Sequence, residues 1–243
     1  MTIRLLTSIM AFFVCSANVR ANSDFLWNKM NDICIPKYKN NGIYKPCALI
    51  DLNEKYVIYK TDFDKYQYLL LPTDKISGTE DVKLQQDEVP NYFYLAWQSR
   101  VFLTERFNKP IKEQLLSLTI NPKNTREQHQ LHIHISCLSA EAHKIISGIA
   151  VDQLDGQWSS KQVHIAPYSY FYRKINFHEL KNENLFKSIK AKVEQENGNM
   201  DYTGVALVNI DPNNFLLLAG IGTKENGYSA ELLQEHECKA AQQ

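Results

Sequence analysis

The chain of 243 residues has no excess of either charge: 27 Lys and Arg stand against 27 Asp and Glu. It therefore makes no electrostatic case for general nucleic-acid binding, which needs a basic surface to displace counterions from phosphates. It lacks an apolar run of the roughly 20 residues that a bilayer-spanning helix takes, and it has no internal repeat and no low-complexity tract. Metal-ligand spacing is missing as well. His143, His164, His178 and His236 are scattered, so a zinc or copper site would have no evident third and fourth ligand. What is there is ordinary globular material, 44% hydrophobic and 22% charged, enough for one domain or two small ones.

The N-terminus has the layout of an export signal. Arg4 supplies positive charge, residues 5–15 form a short apolar run, and Val19-Arg20-Ala21 ends with small residues at the two positions a signal peptidase reads. Residues 1–21 are thus expected to be a signal peptide, cleaved after Ala21, or an N-terminal membrane anchor, given the charge of Arg20 beside the cut. Phe12-Phe13-Val14 is too bulky for a lipobox before Cys15. A periplasmic chain of residues 22–243 follows, slightly acidic once Arg4 and Arg20 are removed. Four cysteines remain in it, an even number in an exported context. They allow three pairings. The expected one joins Cys34 to Cys47 around Asn40-Asn41-Gly42, and Cys137 to Cys238. The second bridge would pin the C-terminus to the strand described next and add a few kcal/mol by the chain-entropy argument, on the order of other long loops.

From Gln130 onward, polar and apolar residues alternate strictly: Gln130-Leu-His132-Ile-His134-Ile-Ser136-Cys137. In a strand, residues i, i+2 and i+4 share a face. Gln130, His132, His134 and Ser136 then point one way, and Leu131, Ile133 and Ile135 into a core. Two neighbouring imidazoles on one rigid strand can act on a phosphorus or carbonyl as nucleophile and proton partner, or can ligate a metal. A two-histidine phosphoesterase would need a second His-x-Ser/Thr pair, and the sequence has none.

Gln130-Leu-His132-Ile-His134-Ile-Ser136 resembles the histidine-triad motif, and the wider chain is similar to its CDP-diacylglycerol pyrophosphatase branch. The shared residues include Tyr68-Leu-Leu-Leu-Pro72-Thr with Gly78-Thr-Glu80, Pro90-Asn91-Tyr-Phe-Tyr-Leu-Ala-Trp97-Gln98, and Ser117-Leu-Thr-Ile-Asn121. The likeness runs from about Cys34 to Cys238 and is densest between Tyr68 and Cys137. One departure is Gln130 where the motif has its first His, with His129 beside it.

The resemblance implies hydrolysis of CDP-diacylglycerol to CMP and phosphatidate through a nucleotidyl-histidine intermediate, with His132 as nucleophile. His134 and Gln130 would complete the catalytic set. Asn121, Gln128, Arg126 and Ser136 would surround the substrate, and Lys75, Thr79 and Glu80 are loop candidates for a headgroup. The chemistry requires no metal and no cofactor. Expected partners are the lipid-nucleotide substrate, the inner-membrane surface and a second copy in a homodimer. Hydrolysis of a soluble nucleotide pyrophosphate, or a non-enzymatic periplasmic metal- or ligand-binding module, are the competing readings.

Local patterns give an α+β fold: a histidine-triad-like antiparallel sheet with helices packed on one face, and a C-terminal α+β extension. The core spans residues 50–140 and the C-terminal half 141–243. Helices are expected at 23–33, 91–107, 139–153, 188–195 and 229–238, with strands at 56–60, 66–71, 115–121, 130–137, 168–175, 204–210 and 214–219.

Overall fold

A computed structural model describes residues 23–242, so the leader expected at residues 1–21 lies outside the described residues. Nine strands form one antiparallel sheet: β1 (Cys47–Asp51), β2 (Tyr56–Lys60), β3 (Tyr68–Pro72), β4 (Leu116–Ile120), β5 (Ile133–Cys137), β6 (Val163–Ile165), β7 (Tyr168–Asn176), β8 (Thr203–Asp211) and β9 (Asn214–Ile221). Their order across the sheet is β1-β2-β3-β5-β4-β8-β9-β7-β6. The C-terminal strands thus extend the same sheet, and β5 lies inside it, paired with β3 and β4.

The pleat sorts residues into two faces, and paired residues in adjacent strands share one. Tyr68, Ile135, Leu118, Leu207 and Leu217 form one such row and belong to the largest core. The helices α3 (Tyr92–Gln98), α4 (Val101–Phe107), α6 (Phe177–Asn182) and α7 (Leu185–Gln195) cover this face through Phe93, Trp97, Leu103, Leu180 and Phe186.

The neighbouring row is Tyr59, Leu69, His134, Thr119, Ala206 and Leu218, on the other face. Its two ends are apolar and its middle is polar. At one end Val57, Tyr59, Leu69 and Leu71 pack under Leu26, Met30 and Cys34 of the N-terminal helical run. At the other, Ala206, Val208, Leu216 and Leu218 pack under Ala142 and Ile146 of α5 (Ala140–Ser147). The expectation of helices on one face only is therefore corrected. Strands such as Tyr56-Val-Ile-Tyr and Gly204-Val-Ala-Leu-Val are apolar on both sides, and both sides must be covered.

Four helix expectations also change. The helix expected at 139–153 stops at Ser147, before Gly148, and Val151–Gln153 forms a separate 3₁₀ turn. The first helix continues from α1 (Phe25–Asn28) through a π-helical segment, Lys29–Cys34, into α2 (Ile35–Asn41), ending at Gly42 with φ 67°. The wider π turn accommodates Pro36, whose ring and missing N–H would break a regular α-helix. The helix at 91–107 begins where Asn91 caps Tyr94 N–H, but divides at Ser99, whose hydroxyl donates to Leu95 C=O at 2.8 Å. The helix expected at 229–238 does not form: a single 3₁₀ turn, Ala230–Leu233, leads into an extended strap. Disulfides join Cys34 to Cys47 and Cys137 to Cys238. The latter holds the strap as it passes from Leu233, in the cluster under α5, to Cys238, in the main core.

Candidate active site

The polar gap in the second face opens into a cavity of about 410 Å³. His132 and His134 lie in its wall, with Asn121 from the end of β4 and Thr125, Arg126, Glu127 and Gln128 from the connection to β5. The strap contributes Ser229 and Glu231, and the β2–β3 loop contributes Thr61 to Asp64. Phe25 and Leu26 close the side under the N-terminal helix. Phe63 is 99% exposed at the rim.

The regular strand begins at Ile133, so His132 sits one residue before β5. Its ring centroid is 4.9 Å from that of His134. His132 Nδ1 is 2.7 Å from Gln130 C=O. A carbonyl can only accept, so Nδ1 carries the proton and Nε2 keeps its lone pair. Burial, followed by the neighbouring His134, lowers the His132 pKa from 6.5 to about 3. At neutral pH the ring is therefore an uncharged imidazole with its nucleophilic nitrogen fixed.

His134 has a different neighbour. Its Nδ1 is 3.1 Å from Glu231 Oε1, within ion-pair distance, although the alignment falls short of a hydrogen bond and neither ring nitrogen has one. The Glu231 carboxylate also accepts from Gln67 Nε2 and Asn121 Nδ2, both at 2.9 Å. Burial opposes its ionisation, but the adjacent His134 and these hydrogen bonds outweigh it and hold the group well below the ordinary carboxylate range. Behind it, His236 Nδ1 lies 2.9 Å from Asp64, and His236 Nε2 lies 2.8 Å from Gln67 Nε2.

Arg126 is almost wholly buried and makes two parallel hydrogen bonds to Glu80, at 2.8 and 2.6 Å. Burial pushes the Glu80 carboxyl up, and the guanidinium more than offsets this, leaving it lowered. Gly78 makes room for the pair, since a Cβ there would come within 2.2 Å of Arg126 Nη1. Arg126 Nε is buried with no hydrogen-bond partner, and the residue borders the cavity.

The structure brings together His132, His134, Asn121, Arg126 and Gln128. Gln128 Oε1 accepts from Leu26 N–H at 3.0 Å, and Asn121 Oδ1 accepts from Ser229 Oγ and Glu231 N–H, both at 3.0 Å. Two residues stand apart. Gln130 turns away, its amide donating to the carbonyls of Pro72 and Asp74 at 2.9 Å, because the chain is not yet in strand geometry there. Ser136 donates to Tyr66 C=O at 2.7 Å and is fully buried. The loop candidates are likewise engaged elsewhere: Lys75 pairs with Asp24, Thr79 is buried, and Glu80 holds Arg126. Sequence reasoning missed Glu231, Gln67 and Asp64. The expected Cys137–Cys238 bridge was the signal that the C-terminal residues return to the histidines.

The model of the CDP-diacylglycerol pyrophosphatase family matches residues 21–242. A probable CDP-diacylglycerol pyrophosphatase of Mycobacterium leprae is 38% identical over 91% of this chain and 82% of its own. The CDP-diacylglycerol pyrophosphatase of Mycobacterium tuberculosis H37Ra is 35% identical over 90% and 84%. A solved DUF4931 family protein of Bacillus cereus is a looser likeness, with TM-score 0.45 and 11% identity over 76% of this chain and 88% of that one.

Proposed function

The chain belongs to the CDP-diacylglycerol pyrophosphatase family and is an enzyme of that kind, and from this premise we propose a covalent, histidine-triad-type mechanism. His132 Nε2 attacks the phosphorus that bears the cytidine of CDP-diacylglycerol. A P–N bond forms as the anhydride P–O bond breaks, and phosphatidate leaves. Water then attacks the same phosphorus, breaks the P–N bond, releases CMP and restores the neutral ring.

The observation that carries this reading is the His132 tautomer, set by the Gln130 carbonyl and kept uncharged by burial. Phosphoryl transfer leaves the protein little covalent work beyond supplying donors and alignment. His134 and Arg126 line the same cavity as His132 and are the candidates for that. Gln130 acts through its backbone carbonyl rather than its side chain. No step calls for a metal. The apolar rim at Phe25 and Phe63 suits a substrate that carries acyl chains.

The location follows as part of the same proposal. The leader pattern of residues 1–21 and two disulfides support an exported protein in the oxidising periplasm, at the inner-membrane surface where the lipid resides. Among the described residues no helix is long and apolar enough to cross a membrane.

The test is CMP release from CDP-diacylglycerol in detergent by the chain from Asn22 onward, with EDTA present, beside His132→Ala. Hydrolysis by the first and none by the second is expected. Equal inactivity of two folded proteins would overturn the substrate, and continued hydrolysis by His132→Ala would overturn the nucleophile.

A further inference from the structure

We infer that Glu231 is a positioning residue for the reaction: its carboxylate orients His134, and the C-terminal strap that delivers it is part of the active site. The inference rests on the reading of His132 and His134 as the reacting pair.

Every polar atom of Glu231 is held. Oε1 lies 3.1 Å from His134 Nδ1 and accepts from Gln67 Nε2, Oε2 accepts from Asn121 Nδ2, and the backbone N–H donates to Asn121 Oδ1. Two separate strands thus fix one carboxylate: Asn121 follows β4, and Gln67 precedes β3. The strap is anchored just as heavily. Ser139 N–H donates to Leu233 C=O, Glu235 N–H to Cys137 C=O and Tyr66 N–H to His236 C=O, each at 2.9 Å. Gln234 Nε2 reaches Ser117 C=O at 3.1 Å, and the bridge to Cys137 closes the segment.

A terminus that only had to cover the sheet would have no reason to bring a carboxylate against a buried imidazole, since burying a charge is unfavourable unless it is fully partnered. Chemically, a carboxylate 3.1 Å from Nδ1 favours the tautomer that carries its proton on that nitrogen and leaves the lone pair on Nε2. His134 is thereby held in one orientation beside His132, the two ring centroids 4.9 Å apart. The titratable and charged groups around His134 are His132 on its own segment, Glu231 on the strap, Asp62, Arg126 and Glu127 of the cavity wall and, beyond Glu231 Oε1 by 3.6 Å, His236 with its partner Asp64. His236 has Nδ1 directed to Asp64 and Nε2 to Gln67, so it supports Gln67 rather than competing for His134.

The experiment is steady-state hydrolysis of CDP-diacylglycerol micelles by Glu231→Ala and Glu231→Asp across pH, with and without added formate, beside the unaltered chain and His132→Ala. Misorienting a reacting group costs about 100-fold. For Glu231→Ala we expect a kcat loss on that order, KM within about twofold and an altered pH profile, together with partial restoration by formate and by Glu231→Asp. An inactive His132→Ala beside a folded Glu231→Ala with unchanged kcat and pH profile would overturn this inference alone. So would a Glu231→Ala that loses activity only in proportion to its unfolded fraction, with no response to formate. Activity in His132→Ala would instead overturn the underlying reading, and this inference with it.

Discussion

On one side of β5, Ile133 and Ile135 sink into a core that runs from Ile58 to Leu217. On the other, His132 and His134 occupy a gap between two smaller apolar clusters, one under the N-terminal helix and one under α5. The same few residues thus serve two neighbourhoods built on opposite terms. The first is continuous, and its side chains are interchangeable in kind: apolar and of the right volume. The second is interrupted, and its side chains are defined by single partners, such as Gln130 C=O for His132 and Glu231 for His134. It also retains buried polar atoms without a hydrogen bond, namely Thr119 Oγ1, Arg126 Nε and both His134 nitrogens, of which Nδ1 has Glu231 only at ion-pair distance. Stability should therefore reside mainly on the first face and activity on the second.

The largest expected effect tests the second face. His132→Ala should lower hydrolysis by at least about a thousandfold, some 4 kcal/mol of barrier, since it removes the nitrogen on which the proposed P–N bond forms. Its thermal midpoint at pH 7 should not fall in step, because the ring borders a cavity rather than a packed core. The converse substitution comes next. Ile135→Ala, on a residue 1% exposed, should cost about 2–5 kcal/mol in urea unfolding. The fraction still folded should turn over at the natural rate. A large kcat loss per folded molecule in Ile135→Ala would break the comparison, because it would mean that the core face sets the histidine geometry directly.

The same contrast explains what was legible in the sequence. Strict alternation around residues 130–137 located the strand and the two histidines, because a pleat has a fixed period of two. Asn121, Gln128 and Arg126 came with the resemblance, and the connection between β4 and β5 sets all three at the same end of the sheet. Alternation also misled. Gln130 fits the pattern but lies three residues before the regular strand begins, and its amide serves the Pro72 and Asp74 carbonyls. Glu231 carries no local signal at all: it reaches His134 only because Asn121, Gln67 and the Cys137–Cys238 bridge fold the strap back. The covering of both sheet faces was visible in the uninterrupted apolar runs of β2 and β8, which an alternating, one-sided reading overlooks.

The smallest expected effect is also the one that separates the faces most cleanly, because it comes from a single proton. His132 has an ordinary pKa of 6.5 when unfolded and about 3 when folded. Between those values the unfolded chain binds the proton and the folded chain does not, so stability falls as pH drops from 6.5 and levels off below 3. The lowered carboxyls of Glu80 and Glu231 work in a different window. Their contribution is complete above their ordinary value of 4.5 and is lost only as pH falls below it. From pH 6.5 to 4.5 the His132 share should accordingly approach about 2 kcal/mol, the linkage limit being about 1.4 kcal/mol per pH unit. Urea titrations at intervals across that range measure it. His132→Ala should flatten the slope, whereas Ile135→Ala should shift the whole curve down and keep it. A slope that survives His132→Ala would place the proton on another group and remove the case for a neutral His132 held by burial.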